Sequence, residues 1–325
     1  MNSLMIRTRH APCCCAGHRR SDRCGPGAAW SPWAASLILL VLALSGCASL
    51  ARSRTDQSVV SARQLSLRGI NAAQQGQLPE AKTFLSQACE MCPLDERIRY
   101  HYAETLWQLG SHTQAVAHME EAVRLSGGNA DLLVRLGDMY LAGGDLKRAA
   151  EQADAAIRAD RQLASAWALR GDVLRELGNH DEALASYHRA MSYQSHYPGV
   201  QLATADIYVR QGRHARALAT LRTLADGYPS GEIPQQVLVM QGLALRGLGR
   251  YEAAAEALAL ATKQAPPTTE ILAHLAETQW LAGDAANARL TLQNALSQST
   301  QEPMAEPLTS HLLTLQRKLT GDMRL

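Results

Sequence analysis

Residues 164–197 read ASAWALRGDVLRELGNHDEALASYHRAMSYQSHY. Among the small side chains of this stretch are Gly171, Gly178 seven residues on, Ala183 five further, and Ala190 seven beyond that. Large residues, Trp167, Leu174 and Tyr187, stand around them. Alanine and leucine dominate the whole chain, Phe84 is its one phenylalanine, and β-branched residues are sparse. That mixture favours helix, whose backbone tolerates Ala and Leu best.

The same pattern recurs on both sides. Glycines stand at Gly76, Gly110, Gly144, Gly178, Gly212, Gly249 and Gly283, spaced by 34 residues except for one interval of 37. Five residues past each is an alanine: Ala81, Ala115, Ala149, Ala183, Ala217, Ala254 and Ala288. Seven residues before each glycine is another small residue: Gly69, Ala103, Gly137, Gly171, Ala205, Gly242 or Ala276. A chain of 325 residues ordinarily suggests two domains. A repeat grows by stacking instead, so that prior does not apply.

Period and small residues together resemble the tetratricopeptide repeat, over about residues 62–300. The resemblance implies an all-α solenoid of seven helix-turn-helix repeats: 62–95, 96–129, 130–163, 164–197, 198–231, 235–268 and 269–302. In each unit the small residue of helix A is expected to meet the first alanine of helix B, where missing bulk permits close crossing. The recurring glycine suits the left-handed residue that ends helix A. Pro93, Pro229 and Pro266 should stop helix B. Glu232-Ile233-Pro234 is a three-residue insertion, expected to loosen or bend the stack. Arg68, Arg99, Arg170, Gln201 and Gln279 replace residues that are usually apolar or aromatic in this pattern. Residues 303–325 contain Leu308, Leu312, Leu315 and Leu319 on one helical face, the signature of a helix capping the last repeat.

The first 46 residues read as a targeting segment. Arg7, Arg9, Arg19, Arg20 and Arg23 precede an apolar run from Ala34 to Leu44. Eleven residues are too few to span a bilayer but suit the apolar part of a secretory signal. Leu44-Ser45-Gly46-Cys47 then resembles the bacterial lipobox, which implies that Cys47 is lipidated and becomes the first residue after cleavage. Ala48 and Ser49 follow where an inner-membrane lipoprotein would often show aspartate, so the resemblance implies the periplasmic face of the outer membrane. The outer leaflet of the inner membrane is the other site open to such an anchor. Residues 47–61 are polar and aperiodic, a flexible lipidated tether.

The leader takes five arginines and one aspartate from the chain's 32 basic and 30 acidic residues, leaving a net charge of −2. That balance offers no basic face for nucleic acid. No phosphate-binding glycine loop, zinc-spaced His/Glu pair or nucleophile elbow occurs, so no cofactor, metal or catalytic residue is expected and the chain does not read as an enzyme. His112, His180 and His214 share one place, two residues past the glycine, where repeat six has Tyr251. A flat side chain packed near the turn accounts for them. Cys89-Glu90-Met91-Cys92 lies at the end of helix B before Pro93, the wrong end for a dipole-stabilised thiolate.

In the tetratricopeptide family helix A lines the concave face. Glu104, Asp138, Asp172 and Asp206 each lie one residue past the small helix-A position, an acidic ladder suited to a basic or amine-bearing segment. A solvated face is the plain alternative, and Arg210, one turn beyond, is placed to neutralise Asp206. Trp107 and Trp280 share a second concave place, either as interface anchors or packed on a neighbouring helix. The Lys/Asn pattern of repeats that clamp a C-terminal carboxylate is absent.

The leading expectation is a membrane-anchored protein–protein interaction scaffold of the bacterial envelope, similar in architecture to lipoproteins that assist pilus or secretion assembly. A binder of envelope polysaccharide or peptidoglycan, serving polymer export or cell-wall maintenance, is the second class. A thiol-redox protein using Cys89 and Cys92 is the third.

Overall fold

The computed structural model describes residues 58–229, 231–299 and 306–321. Cys47, the leader and most of the tether lie outside the described residues. What is described is all helix and turn. α1 covers 58–74, so the last four residues of the expected tether are already helical. Fourteen helices follow: α2 (Leu78–Met91), α3 (Glu96–Gln108), α4 (His112–Leu125), α5 (Ala130–Ala142), α6 (Leu146–Ala159), α7 (Ala164–Glu176), α8 (His180–Tyr193), α9 (Pro198–Arg210), α10 (His214–Ala225), α11 (Gln235–Gly247), α12 (Tyr251–Gln264), α13 (Thr269–Leu281), α14 (Ala285–Ser299) and α15 (Glu306–Thr320). Odd-numbered helices from α1 to α13 are the A helices and the even-numbered their B partners. None of the described helices is long and apolar enough to cross a membrane.

The turn inside each pair has one design. All seven periodic glycines have φ between +70° and +84°. At Gly110 the chain closes as a Schellman turn, with the Ser111 N–H reaching the Leu106 carbonyl at 2.9 Å. A Cβ there would be strained whatever the space around it. Polar caps start several A helices. Asp95 accepts from the Arg97 and Ile98 amides, and Asn129 from those of Asp131 and Leu132.

At the A–B crossing the Cβ position of the helix-A glycine lies 3.3 Å from the carbonyl of the expected alanine in repeats one and six, Gly69 on Ala81 and Gly242 on Ala254, and a larger side chain comes closer still. A Cβ on Gly171 would lie 2.4 Å from the Tyr187 ring, and one on Gly242 would lie 2.6 Å from the Leu258 Cγ. The notch is thus filled by the side chain one turn past the alanine. In repeat three that place holds small Ala153, and Leu169 of the next repeat comes within 2.4 Å of the Gly137 Cβ position instead. The core runs on from repeat to repeat through such exchanges.

The insertion does not open the stack. Ile233 packs against the core of repeats four to six, and the Gln264 amide donates to the Gly231 carbonyl at 2.7 Å. Gln235 donates to the carbonyls of Ala261 and Ala265, closing the end of α12. At the C-terminal end, Leu312, Leu315 and Leu319 of α15 bury against Leu272, Ala276 and Leu292, and Arg289 donates to the Leu319 carbonyl. The unusual polar residues also have local partners: Gln201 receives the Tyr197 amide, Gln279 receives the Thr291 hydroxyl, and Arg170 lies 5.9 Å from the Trp167 ring.

Candidate concave binding face

Three pairs of consecutive A helices touch, α5 with α7, α9 with α11 and α11 with α13, whereas no consecutive B helices pack comparably among the described residues. The A helices therefore lie on the inner side of the curve, and their residues form the concave face.

The four ladder carboxylates lie on this face in different states. Glu104 is held bidentately by Arg135 of the next repeat, at 2.6 and 3.0 Å. Asp172 accepts from the Tyr187 hydroxyl at 2.7 Å and has Arg175 at 3.9 Å. Asp206 pairs with Arg210 at 2.8 Å, as the spacing implies. Asp138 has no hydrogen-bonded or ion-paired partner among the described residues. Burial raises its carboxyl to about 6; Arg135 opposes the shift, and Asp172 and Glu104 add to it. Burial also raises Asp172, against the Tyr187 hydrogen bond and Arg175. The Tyr197 hydroxyl, at the head of α9, is raised by burial and by the charges of Asp138 and Asp172. Sequence spacing thus brought four carboxylates to one face, and the fold leaves one of them unneutralised.

The ladder has a further member that the sequence reading passed over. Glu277 follows Ala276 as Glu104 follows Ala103, and Arg246 reaches it at 2.5 Å. Both pairs, Glu104–Arg135 and Arg246–Glu277, join neighbouring A helices across 31 residues of sequence. A search at that offset would have found them.

The tryptophans are half-buried. Trp107 packs against the core of repeats two to four, with His112 edge-on at 4.3 Å. Trp280 packs at the cap, with the Lys318 ammonium 5.0 Å from its ring centre. Trp280 is therefore covered in part by α15, while Trp107 keeps an edge toward solvent. Two of the three turn histidines pack against neighbours near the turn. His214 lies over Gly247, whose Cβ would come within 2.4 Å of the ring, and His112 braces Trp107. Among the described residues no three His, Cys, Asp or Glu side chains are grouped to hold a metal ion. Cys89 and Cys92 are free thiols packed near Ala62, Ala88 and Ile98. Burial pushes the Cys89 thiol up to about 11, which keeps it protonated and poorly nucleophilic.

Comparison with known proteins agrees with this architecture. One family model described as tetratricopeptide repeat matches residues 106–173 and 174–233, and another with the same description matches 67–130 and 239–303. The chain belongs to the tetratricopeptide-repeat family. A tetratricopeptide repeat protein of Parabacteroides merdae superposes with a TM-score of 0.58 at 15% identity, over 78% of this chain and 98% of that one. Pseudomonas aeruginosa pilF gives 0.58 at 17% identity, over 69% of this chain and 98% of its own. Likeness at that identity establishes fold alone. A curated relative, the outer dynein arm-docking complex subunit 4 of Mus musculus, is 30% identical over 86 residues. Those residues are 26% of this chain and only 14% of the mouse protein. Proteins of this fold are generally non-catalytic scaffolds, and this chain is a repeat scaffold for protein–protein interaction.

Proposed function

We propose that this protein is a lipid-anchored adaptor of a bacterial envelope, tethered through Cys47, whose concave face holds a basic segment of a partner protein against Asp138. The observation that carries this reading is the unequal state of the ladder. Glu104, Asp172 and Asp206 are satisfied within the chain, and Asp138 is not. A half-buried carboxylate without a partner is destabilising, and an ammonium or guanidinium brought by a ligand relieves that. Tyr197, half-buried, stands beside the carboxylates, where its aromatic ring and hydroxyl give a basic side chain further contacts. The lipobox-like Leu44–Cys47 and the small residues after it support an anchor at the periplasmic face of the outer membrane. Pilus or secretion assembly is the process we assign, because an anchor, a tether and a groove suit a protein that holds one component of a machine in place.

A displayed peptide library tests the groove without knowledge of the partner. Peptides selected on the wild-type repeat domain are expected to be enriched in Lys or Arg, and selection on Asp138→Asn should lose that enrichment. Equal enrichment on both proteins would remove Asp138 from the site.

A further inference from the structure

Repeats two, four and six place Leu109, Leu177 and Leu248 just ahead of the left-handed glycine, but repeat three reads Ala142-Gly143-Gly144. A cleft of about 620 Å³ lies at the turn end of repeats two and three, between α4 and the last turn of α5, with Gly143 in its lining. Trp107, Val116, Ala117, Met139 and Tyr140 form its apolar walls. Glu120, Asp145 and Arg148 form the polar side.

These walls are fixed without a ligand. His112 braces Trp107. The Tyr140 hydroxyl donates to Glu120, and the Arg148 guanidinium lies 4.3 Å from the centre of the Tyr140 ring. Arg148 is also tied to Asp145 at 2.6 Å and to Glu120 at 3.9 Å. A cleft already ordered loses little freedom on binding. Its volume suits a small group or one large side chain. The rim carries two carboxylates against one guanidinium, and that guanidinium is already engaged by both. The charge left over is negative, which favours a cation beside the apolar group.

We propose that this cleft is a second docking point, which takes a bulky apolar side chain of a partner protein with a basic residue next to it in sequence. It shares only Trp107 with the concave residues named above, so it stands or falls independently of the groove at Asp138.

Gly143→Leu is the decisive variant. Gly143 has φ −81° and ψ −1°, a conformation open to any residue. A Cβ there would meet only carbonyl oxygens at 3.4 and 3.5 Å, so the variant is expected to fold with its new side chain across the cleft that Gly143 lines. The probe is acetyl-phenylalanyl-lysine amide, and acetyl-phenylalanyl-glutamate amide is its control. Binding is read from the Trp107 indole N–H signal in NMR spectra. The lysine probe should bind the wild-type repeat domain in the low-millimolar range, and at least tenfold more weakly to Gly143→Leu. The glutamate probe should also bind wild type at least tenfold more weakly. Glu120→Gln keeps an acceptor for Tyr140 but removes the charge, and should weaken the lysine probe several-fold in a protein whose core is untouched. Equal binding to wild type and Gly143→Leu, equal binding of the two probes, or no shift of Trp107 would each overturn the proposal.

Discussion

At the scale of single residues, the positions of the acidic ladder were legible and their charge states were not. A spacing of 34 places Glu104, Asp138, Asp172 and Asp206 on one line. Whether each is neutralised depends on Arg135, 31 residues past Glu104, and on Tyr187, 15 past Asp172, contacts set by packing between helices. Asp138 gives a pH prediction whose sign follows from its raised carboxyl. The folded state holds this proton up to about pH 6, whereas the unfolded chain releases it near the ordinary value of 3.8. Stability therefore falls as pH rises between those values and is flat above them. Asp138→Asn removes the charged form. It should stabilise the fold at pH 7 by about 1–2 kcal/mol, allowing for partial solvent screening, and by nearly nothing at pH 4. Urea denaturation at the two pH values measures the difference. Gly171 gives a steric counterpart. Its Cβ position lies 2.4 Å from the Tyr187 ring, so Gly171→Ala should cost about 1–3 kcal/mol and lower the urea midpoint.

At the scale of elements, the helix order, the left-handed turns and the capping helix could all be read from residue period, because each rests on a local rule. Gly178 ends α7 with φ +79°, and Pro93 and Pro266 follow the ends of α2 and α12. The insertion at Glu232–Pro234 was less transparent. Its loosening effect is offset by Ile233 in the core and by the Gln264 contact, long-range facts that no local pattern contains. The side chain that fills the notch beside the helix-A glycine, Tyr187 or Leu258, was not legible, since it leans back over the turn before it. Ala183 is nonetheless fully buried. Ala183→Arg should therefore unfold the middle of the solenoid, at a cost of about 3 kcal/mol or more, seen as a loss of helical circular dichroism on mild heating. Ending the chain before α15 should expose Leu272 and Leu292, lower the melting temperature and produce association detectable by light scattering.

At the scale of the whole molecule, the family was legible because its period is a property of sequence, while the partner is a property of one surface. Fold likeness to other repeat proteins does not carry a partner with it. The anchor can be tested by itself. Cys47→Ser should move the protein from the membrane to the soluble fraction with its melting temperature unchanged, since a diacyl group supplies the stable attachment that a single chain does not. The central claim is that the concave carboxylates, Asp138 above all, recognise a basic partner. Its most direct measurement is the salt dependence of affinity for a selected basic peptide, compared between wild type and the Asp138→Asn, Asp172→Asn, Asp206→Asn variant. Added salt shortens the reach of charge, from about 10 Å at 0.1 M to about 3 Å at 1 M. The account predicts that wild type binds more tightly at low salt and loses affinity steeply as salt rises, while the triple variant binds weakly with a shallow slope. Equal affinities and parallel slopes would contradict it, and would make the ladder a solvated face.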